Sequence, residues 1–174
     1  CASGLETIAM ATAKIQSGMA ECIIAGGSES MSYIPFGGYK PVPDYELVKN
    51  GKEDYYWGMG LTAEAVAKEY NISREDQDAF SYGSHQKALA ALESGAFKEQ
   101  IVPIKIEETY LEGNTKKTRN YVVDTDEGPR ADTAIDKLAK LRPVFSAGGS
   151  VTAGNASQTS DGAAMVLVLS LIHI

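Results

Sequence analysis

Histidine and cysteine are scarce: the 174 residues hold two of each, His85, His173, Cys1 and Cys22. Two thiols placed this way form neither a disulfide framework nor a metal-ligand spacing. So few thiols point to a reducing compartment, read here as the cytoplasm. Long apolar runs are also missing. The longest, 163–174, is too short for a bilayer, so no membrane span is expected. With no basic n-region and no initiator Met, no signal peptide is expected, and the chain reads as a fragment. Basic residues are outnumbered, 16 Lys and Arg against 23 Asp and Glu, giving a net charge of −7. Neutralising phosphates along a nucleic acid takes clustered cations, which this balance argues against. One local basic site for an anionic ligand stays compatible with it. What is present is an ordinary globular composition, 44% hydrophobic and 22% charged, long enough to bury a core without disulfide or metal.

Three zones follow one another. In 1–32, helix formers run from Ser3 to Ser17, with Leu5, Ile8, Ala9, Thr12 and Ile15 at helical spacing and Ser17-Gly18 as the stop. Cys22, Ile23, Ile24 and Ala25 then form an apolar run ending at Gly26-Gly27, the pattern of a strand buried on both faces. Cys22 in that run reads as an inert core thiol. The zone 33–140 carries most of the charge and five of the six prolines. It contains a helix candidate from Thr62 to Tyr70 and a longer one capped by Ser73, with Glu75 and Asp76 near its positive end. Ala79, Phe80, Ala88, Leu89 and Leu92 are expected to supply the apolar face of the longer helix. Strands are expected over 101–106 and 117–123, separated by a Gly-Asn turn. This zone reads as an α+β insertion. From 141 to 168 a small-residue loop, 152–160, leads through Asp161-Gly162 into a second buried strand, 163–169. The flanking zones therefore predict one α/β layer bracketing the insertion, with both strands in one sheet. Glu29 and Asp161, isolated in glycine-rich turns, read as residues that fix backbone geometry.

Chemistry concentrates at Cys1. It is followed by Ala2-Ser3-Gly4 and a helix, and a thiol at a helix N-terminus meets unpaired N–H groups that favour the nucleophilic thiolate. Taken alone, the same arrangement suits a small buried residue equally. The wider pattern is more specific. Cys1-Ala2-Ser3-Gly4, Gly26-Gly27-Ser28-Glu29-Ser30-Met31-Ser32, Met59-Gly60-Leu61-Thr62-Ala63-Glu64, Ile72-Ser73-Arg74-Glu75-Asp76-Gln77-Asp78 and Leu141-Arg142-Pro143-Val144-Phe145 appear in that order. Val151-Thr152-Ala153-Gly154-Asn155-Ala156-Ser157 and Ser160-Asp161-Gly162-Ala163-Ala164 close the series. In these blocks the chain resembles the thiolase family, and within it the N-terminal half of the degradative 3-ketoacyl-CoA thiolases.

That resemblance implies a layered α/β/α half with an inserted loop domain for coenzyme A. It implies an acyltransferase that cleaves 3-ketoacyl-CoA with coenzyme A through an acyl-cysteine, as in fatty-acid β-oxidation. Cys1 matches the family's nucleophile. Met59 falls beside the pantetheine and acyl pocket, Arg130 where an Arg meets the nucleotide end, and Ser157 where a Ser contacts pantetheine. His85 stands where some members place a Tyr against the cofactor. A guanidinium suits the nucleotide because it offers a flat face and phosphate donors together. No tightly bound cofactor and no metal are implied, coenzyme A being substrate. The partners implied are 3-ketoacyl-CoA and coenzyme A, with the intact protein a homodimer or homotetramer, and a β-oxidation multienzyme assembly as a further partner. Two positions depart from the family pattern: Gly58 stands where some acetoacetyl-CoA thiolases carry a His, and Lys137 where some members have a Ser.

The family's Gly-His-Pro, Cys-x-Gly and Asn-Glu-x-Phe blocks do not occur in these residues. The expectation is therefore that the intact protein is the enzyme and this fragment is inactive. The last six residues, 169–174, resemble a translated sequencing adapter and read as a non-native tail. The alternatives are an acetoacetyl-CoA thiolase within the enzymes, a non-catalytic thiolase-like lipid or acyl carrier from another class, and a ketoacyl-carrier-protein synthase, which lacks the long insertion.

Overall fold

A computed structural model describes residues 2–35 and 37–173 of the chain. Two compact units result. The smaller takes in the chain up to Tyr55 and again from Ser157 onward, and the larger is Tyr56–Ala156. These divisions fall at 55/56 and 156/157, whereas composition changes near 32 and 140.

In the smaller unit, helix α1 (Ser3–Gln16) is followed by strand β1 (Cys22–Glu29), and strand β4 (Gly162–Leu169) pairs antiparallel with β1. The predicted single sheet is thus observed, closed by chain segments more than 130 residues apart in register, from Cys22 opposite Leu169 to Glu29 opposite Gly162. Helix α1 packs on one face of this ribbon, mainly against β1, where Ala11 and Ala25 are buried, and leaves Val166 of β4 on that face 48% exposed. Two alanines let helix and sheet approach closely, which a larger pair would prevent. Asp161 ties the two strand ends: its carboxylate accepts the Ser32 N–H at 2.9 Å and the Ser30 hydroxyl at 3.2 Å. These donors, the Ser32 amide foremost, hold the Asp161 carboxyl below the ordinary range. Asp161 therefore fixes a turn, as its setting in the sequence implies.

Burial differs from the expectation. The apolar run does not stop at Gly26-Gly27; β1 passes through both glycines. Neither strand is buried on both faces, because α1 covers only one. Residues directly opposite in register share a face, so Cys22, Ile24, Met165, Leu167 and Leu169 lie opposite α1. Ile24 there is 71% exposed, and Cys22 is exposed rather than a core thiol. On α1 itself Leu5 and Ala9 are exposed, while Thr7, Ile8, Ala11, Thr12 and Ile15 turn inward. A short helix, α2 (Tyr45–Lys49), was not apparent in the sequence; Asp44 caps it by accepting the Glu46 and Leu47 amides.

The larger unit holds α3 (Met59–Glu69), α4 (Arg74–Glu93), a hairpin of β2 (Ile104–Glu112) and β3 (Thr115–Val123), and α5 (Ile135–Leu138). Ser73 caps α4, accepting the Asp76 amide at 3.0 Å. The hairpin turns on Gly113, at φ +63°, the first position of a two-residue connection that favours glycine. Strand β2 begins at Ile104, later than expected, because Ile101 still closes a turn onto Phe97 and Pro103 withholds an N–H. The apolar face assigned to α4 is only partly right. Ala88, Leu89 and Leu92 are half-buried, but Ala79 is exposed and Phe80 is 79% exposed, and the one fully buried residue of the helix is Asp78.

Gly26 is a tight point of the smaller unit. A Cβ there would strike the Ala164 carbonyl oxygen and come within 2.8 Å of the Met165 Cα, both backbone atoms of the paired strand. Replacement Gly26→Ala must therefore spread β1 from β4, and a loss of about 1–3 kcal/mol in urea unfolding is expected, the usual cost of overpacking. An unchanged midpoint would show that the strands have slack at this point.

Candidate functional site

Four of the five residues singled out by resemblance lie among the described residues; Cys1 lies outside them. Ser3 opens α1 two residues after Cys1, and its N-cap, Ala2, supplies no side-chain hydrogen bond to the helix. Met59 is the first residue of α3 and is 59% exposed. His85 lies half-buried on α4. Arg130 sits in the loop after β3, and Ser157 is exposed, its hydroxyl donating to the Gln158 carbonyl at 3.3 Å.

Two of these are brought together. The Arg130 backbone N–H donates to His85 Nδ1 at 3.1 Å, across 45 residues of sequence. The Arg130 guanidinium is held by Asp132, Nε to Oδ1 and Nη2 to Oδ2, each at 3.2 Å. That contact lifts the Arg130 guanidinium above its ordinary value and lowers the Asp132 carboxyl, chiefly through the hydrogen bonds between them. Asp132 uses one hydrogen of Nε and one of Nη2, so three of the five guanidinium donors stay unspent. Lys137 donates from Nζ to the Asp132 carbonyl at 2.8 Å. The Arg130 guanidinium is thus paired with a carboxylate along one edge and keeps donors free on the other.

A second cluster, absent from the site expected from the sequence, holds the segment that leads to Ser157. Asp78, 3% exposed, accepts Arg74 Nε at 2.8 Å and Asn155 Nδ2 at 2.9 Å. Arg74 also donates from Nη2 to the Leu138 carbonyl at 2.5 Å and the Leu141 carbonyl at 3.2 Å. Asn155 in turn accepts the Thr152 amide at 2.7 Å and donates to the Ser150 carbonyl at 3.1 Å. On the other side, Glu64 of α3 accepts the Ser150 and Val151 amides and the Ser150 hydroxyl between 2.9 and 3.2 Å. Gly149 has no side chain to block that carboxylate. The available signal was Asp78 four residues after Arg74, a carboxylate and cation on one helical face that the loop then covers.

Desolvation alone would push the Glu64 carboxyl up, but the Ser150 and Val151 amides and the Ser150 hydroxyl outweigh it, so Glu64 titrates below the ordinary range. Beside this cluster an open groove of about 630 Å³ is lined by Trp57, Leu61, Ala65, Lys68 and Ser146 together with Glu64 and Glu69. No three His, Cys, Asp or Glu side chains converge as metal ligands among the described residues, and among them no helix is long and apolar enough to cross a membrane.

A sequence model of the family described as thiolase, N-terminal domain, matches residues 1–171. The chain belongs to the thiolase family. Its relatives include the 3-ketoacyl-CoA thiolase of Bacillus subtilis (strain 168), 49% identical over 97% of this chain and 43% of that protein. The acetyl-CoA acetyltransferase of Pseudomonas aeruginosa is 42% identical over 98% of this chain and 44% of its own length. Among solved structures, the Bacillus anthracis acetyl-CoA acetyltransferase superposes with a TM-score of 0.74 at 40% identity, covering 99% of this chain and 44% of that one. The dimeric peroxisomal thiolase of Saccharomyces cerevisiae gives 0.76 at 37% identity, covering 97% and 41%. The chain thus spans less than half the length of these relatives, and its fold is a partial thiolase fold.

Glu64 offers a direct check of the second cluster. A carboxyl with a lowered folded value contributes stability above its unfolded pKa, about 4.3, and loses it as pH falls through the lower folded value. Glu64→Gln keeps the shape but not the charge, so it should cost about 1–2 kcal/mol at neutral pH and leave a flatter stability profile below pH 5. Parallel profiles for the two proteins, measured by urea unfolding, would remove Glu64 from the clamp.

Proposed function

We propose that the intact protein carrying this segment is a 3-ketoacyl-CoA thiolase of the degradative type. The single observation that carries the reading is the family match over residues 1–171, which includes the Cys1-Ala2-Ser3-Gly4 block that runs into the start of α1 at Ser3. The fork of Arg130 supports coenzyme A as the ligand, since its unspent donors suit the phosphates of the nucleotide end. Met59 and Ser157 are each assigned to pantetheine by resemblance alone.

The chemistry follows from the thiol. The Cys1 thiolate adds to the 3-keto carbonyl, and the bond between C2 and C3 breaks as the carbonyl reforms. The electron pair leaves with acetyl-CoA, whose α-carbon takes a proton from the family's second cysteine. A free coenzyme A thiol then gives its proton to that second cysteine, left as a thiolate by the first step, attacks the acyl-cysteine carbonyl, returns Cys1 to the thiolate and departs as the shortened acyl-CoA. The activating His and the second Cys belong to the Gly-His-Pro and Cys-x-Gly blocks, so the isolated segment is expected to show no turnover. Residues that act as a unit fail together. A homodimer or homotetramer is the expected assembly of the intact protein.

Assays of the full-length protein on acetoacetyl-CoA and on longer 3-ketoacyl-CoA substrates test this. Longer chains should be preferred, Cys1→Ala should lower kcat on the order of 10³-fold or more, and Arg130→Ala should raise the KM for coenzyme A with kcat nearly unchanged. Activity confined to acetoacetyl-CoA would move the assignment to the acetoacetyl-CoA thiolases. Full activity of Cys1→Ala would end the thiolase reading altogether.

A further inference from the structure

We infer that His85 is a positioning residue for the nucleotide end of coenzyme A: its ring holds the Arg130 backbone and so aims the Arg130 fork. The inference rests on the coenzyme A reading given above. A backbone N–H can only donate, so the 3.1 Å contact requires a lone pair on His85 Nδ1 and places the ring proton on Nε2. Position matters here because the residue before Arg130 is Pro129, which has no N–H. At this stretch of loop the Arg130 amide is thus the first donor after Gly128, whose own N–H goes to Asp126 at 2.9 Å. Beyond Arg130 the loop is tied again by Thr133 N–H to the Arg130 carbonyl at 3.3 Å and by Lys137 to the Asp132 carbonyl.

These ties divide the labour. Asp132 sets the orientation of the guanidinium relative to its own backbone, two residues away, and an exposed pair of this kind contributes little stability. It cannot by itself fix where that backbone stands. His85 reaches from α4, a 20-residue helix anchored by the Ser73 cap and the buried Asp78, and connects the loop to it. Without the His85 acceptor the fork stays formed but is presented from a looser loop, so a phosphate that it meets must order the loop on binding. The loss then falls on affinity for ligands with a nucleotide, and not on the acyl chemistry.

The test uses the full-length protein and three variants: His85→Phe, which keeps a ring without an acceptor, His85→Asn, whose amide oxygen stands near the Nδ1 position, and His85→Phe in an Arg130→Ala background. KM and kcat are measured with coenzyme A and with pantetheine, which has the thiol arm but no nucleotide. Expected are a KM for coenzyme A raised about three- to tenfold in His85→Phe, the scale of one backbone hydrogen bond, an unchanged kcat, and recovery to within about twofold in His85→Asn. Pantetheine should show no such change, and His85→Phe should add nothing once Arg130 is Ala. Equal losses with pantetheine, an undiminished effect in the Arg130→Ala background, or no change in KM would each overturn the inference. Thermal melting of each variant separates these from misfolding: if His85→Phe melts well below wild type, His85→Ala takes its place in the same comparison. A wild-type protein that fails to saturate with coenzyme A at all would instead sink the functional reading.

Discussion

Burying a carboxylate is costly unless every lone pair is answered and a countercharge lies close. Asp78 meets that condition through Arg74 on its own helix and Asn155 from the loop, and the order of the larger unit follows from it. Because Arg74 is committed to Asp78, its Nη2 is aimed at the carbonyls of Leu138, the last residue of α5, and of Leu141 just beyond it. Because Asn155 is committed as well, its amide folds the 150–155 loop back on itself, and Thr152 is wholly buried under it. Glu64 then meets the same loop from α3. Two helices and a loop far apart in sequence are joined by polar contacts where a hydrophobic core would be expected.

How far this was readable depended on the kind of interaction. Helix starts and turns are local, and they were legible: Ser73 caps α4, Ser3 begins α1, and Gly113-Asn114 turns the hairpin. The pairing of β1 with β4 was inferable because two apolar runs bracket a charged insertion. Burial was not legible, since it is a property of the neighbours and not of the residue. Ile24 and Leu167 look like core and stand on an uncovered face, whereas Asp78 looks like surface and is enclosed. Periodicity placed Phe80 on an inner face because hydrophobicity alone was counted; the helix in fact turns on its charged pair.

The candidate site divides in the same way. Arg130 and His85 were picked by resemblance, one residue at a time, and nothing in their spacing of 45 residues announces a hydrogen bond. The fold supplies the link by running α4 beside the loop that follows β3. By contrast Glu64, Asp78 and Asn155 were present inside quoted motifs as letters only. Their role emerged from geometry: Glu64 and Asn155 meet backbone groups of the 150–152 segment, and Asp78 holds the Asn155 amide, which a motif cannot display.

The groove beside α3 has a practical consequence in optical terms. Trp57 on its wall is the sole indole of this sequence and is 43% exposed, one residue ahead of Gly58, the N-cap of α3. Indole emission shifts with the amount of water around the ring, so any event that seals or opens that groove changes the colour of the light it emits. The nine tyrosines are spread over both units, from Tyr33 and Tyr39 to Tyr110 and Tyr121. Excitation at the red edge, where tyrosine is silent, therefore watches the larger unit alone. The segment carries its own unlabelled reporter, placed on one unit and blind to the other.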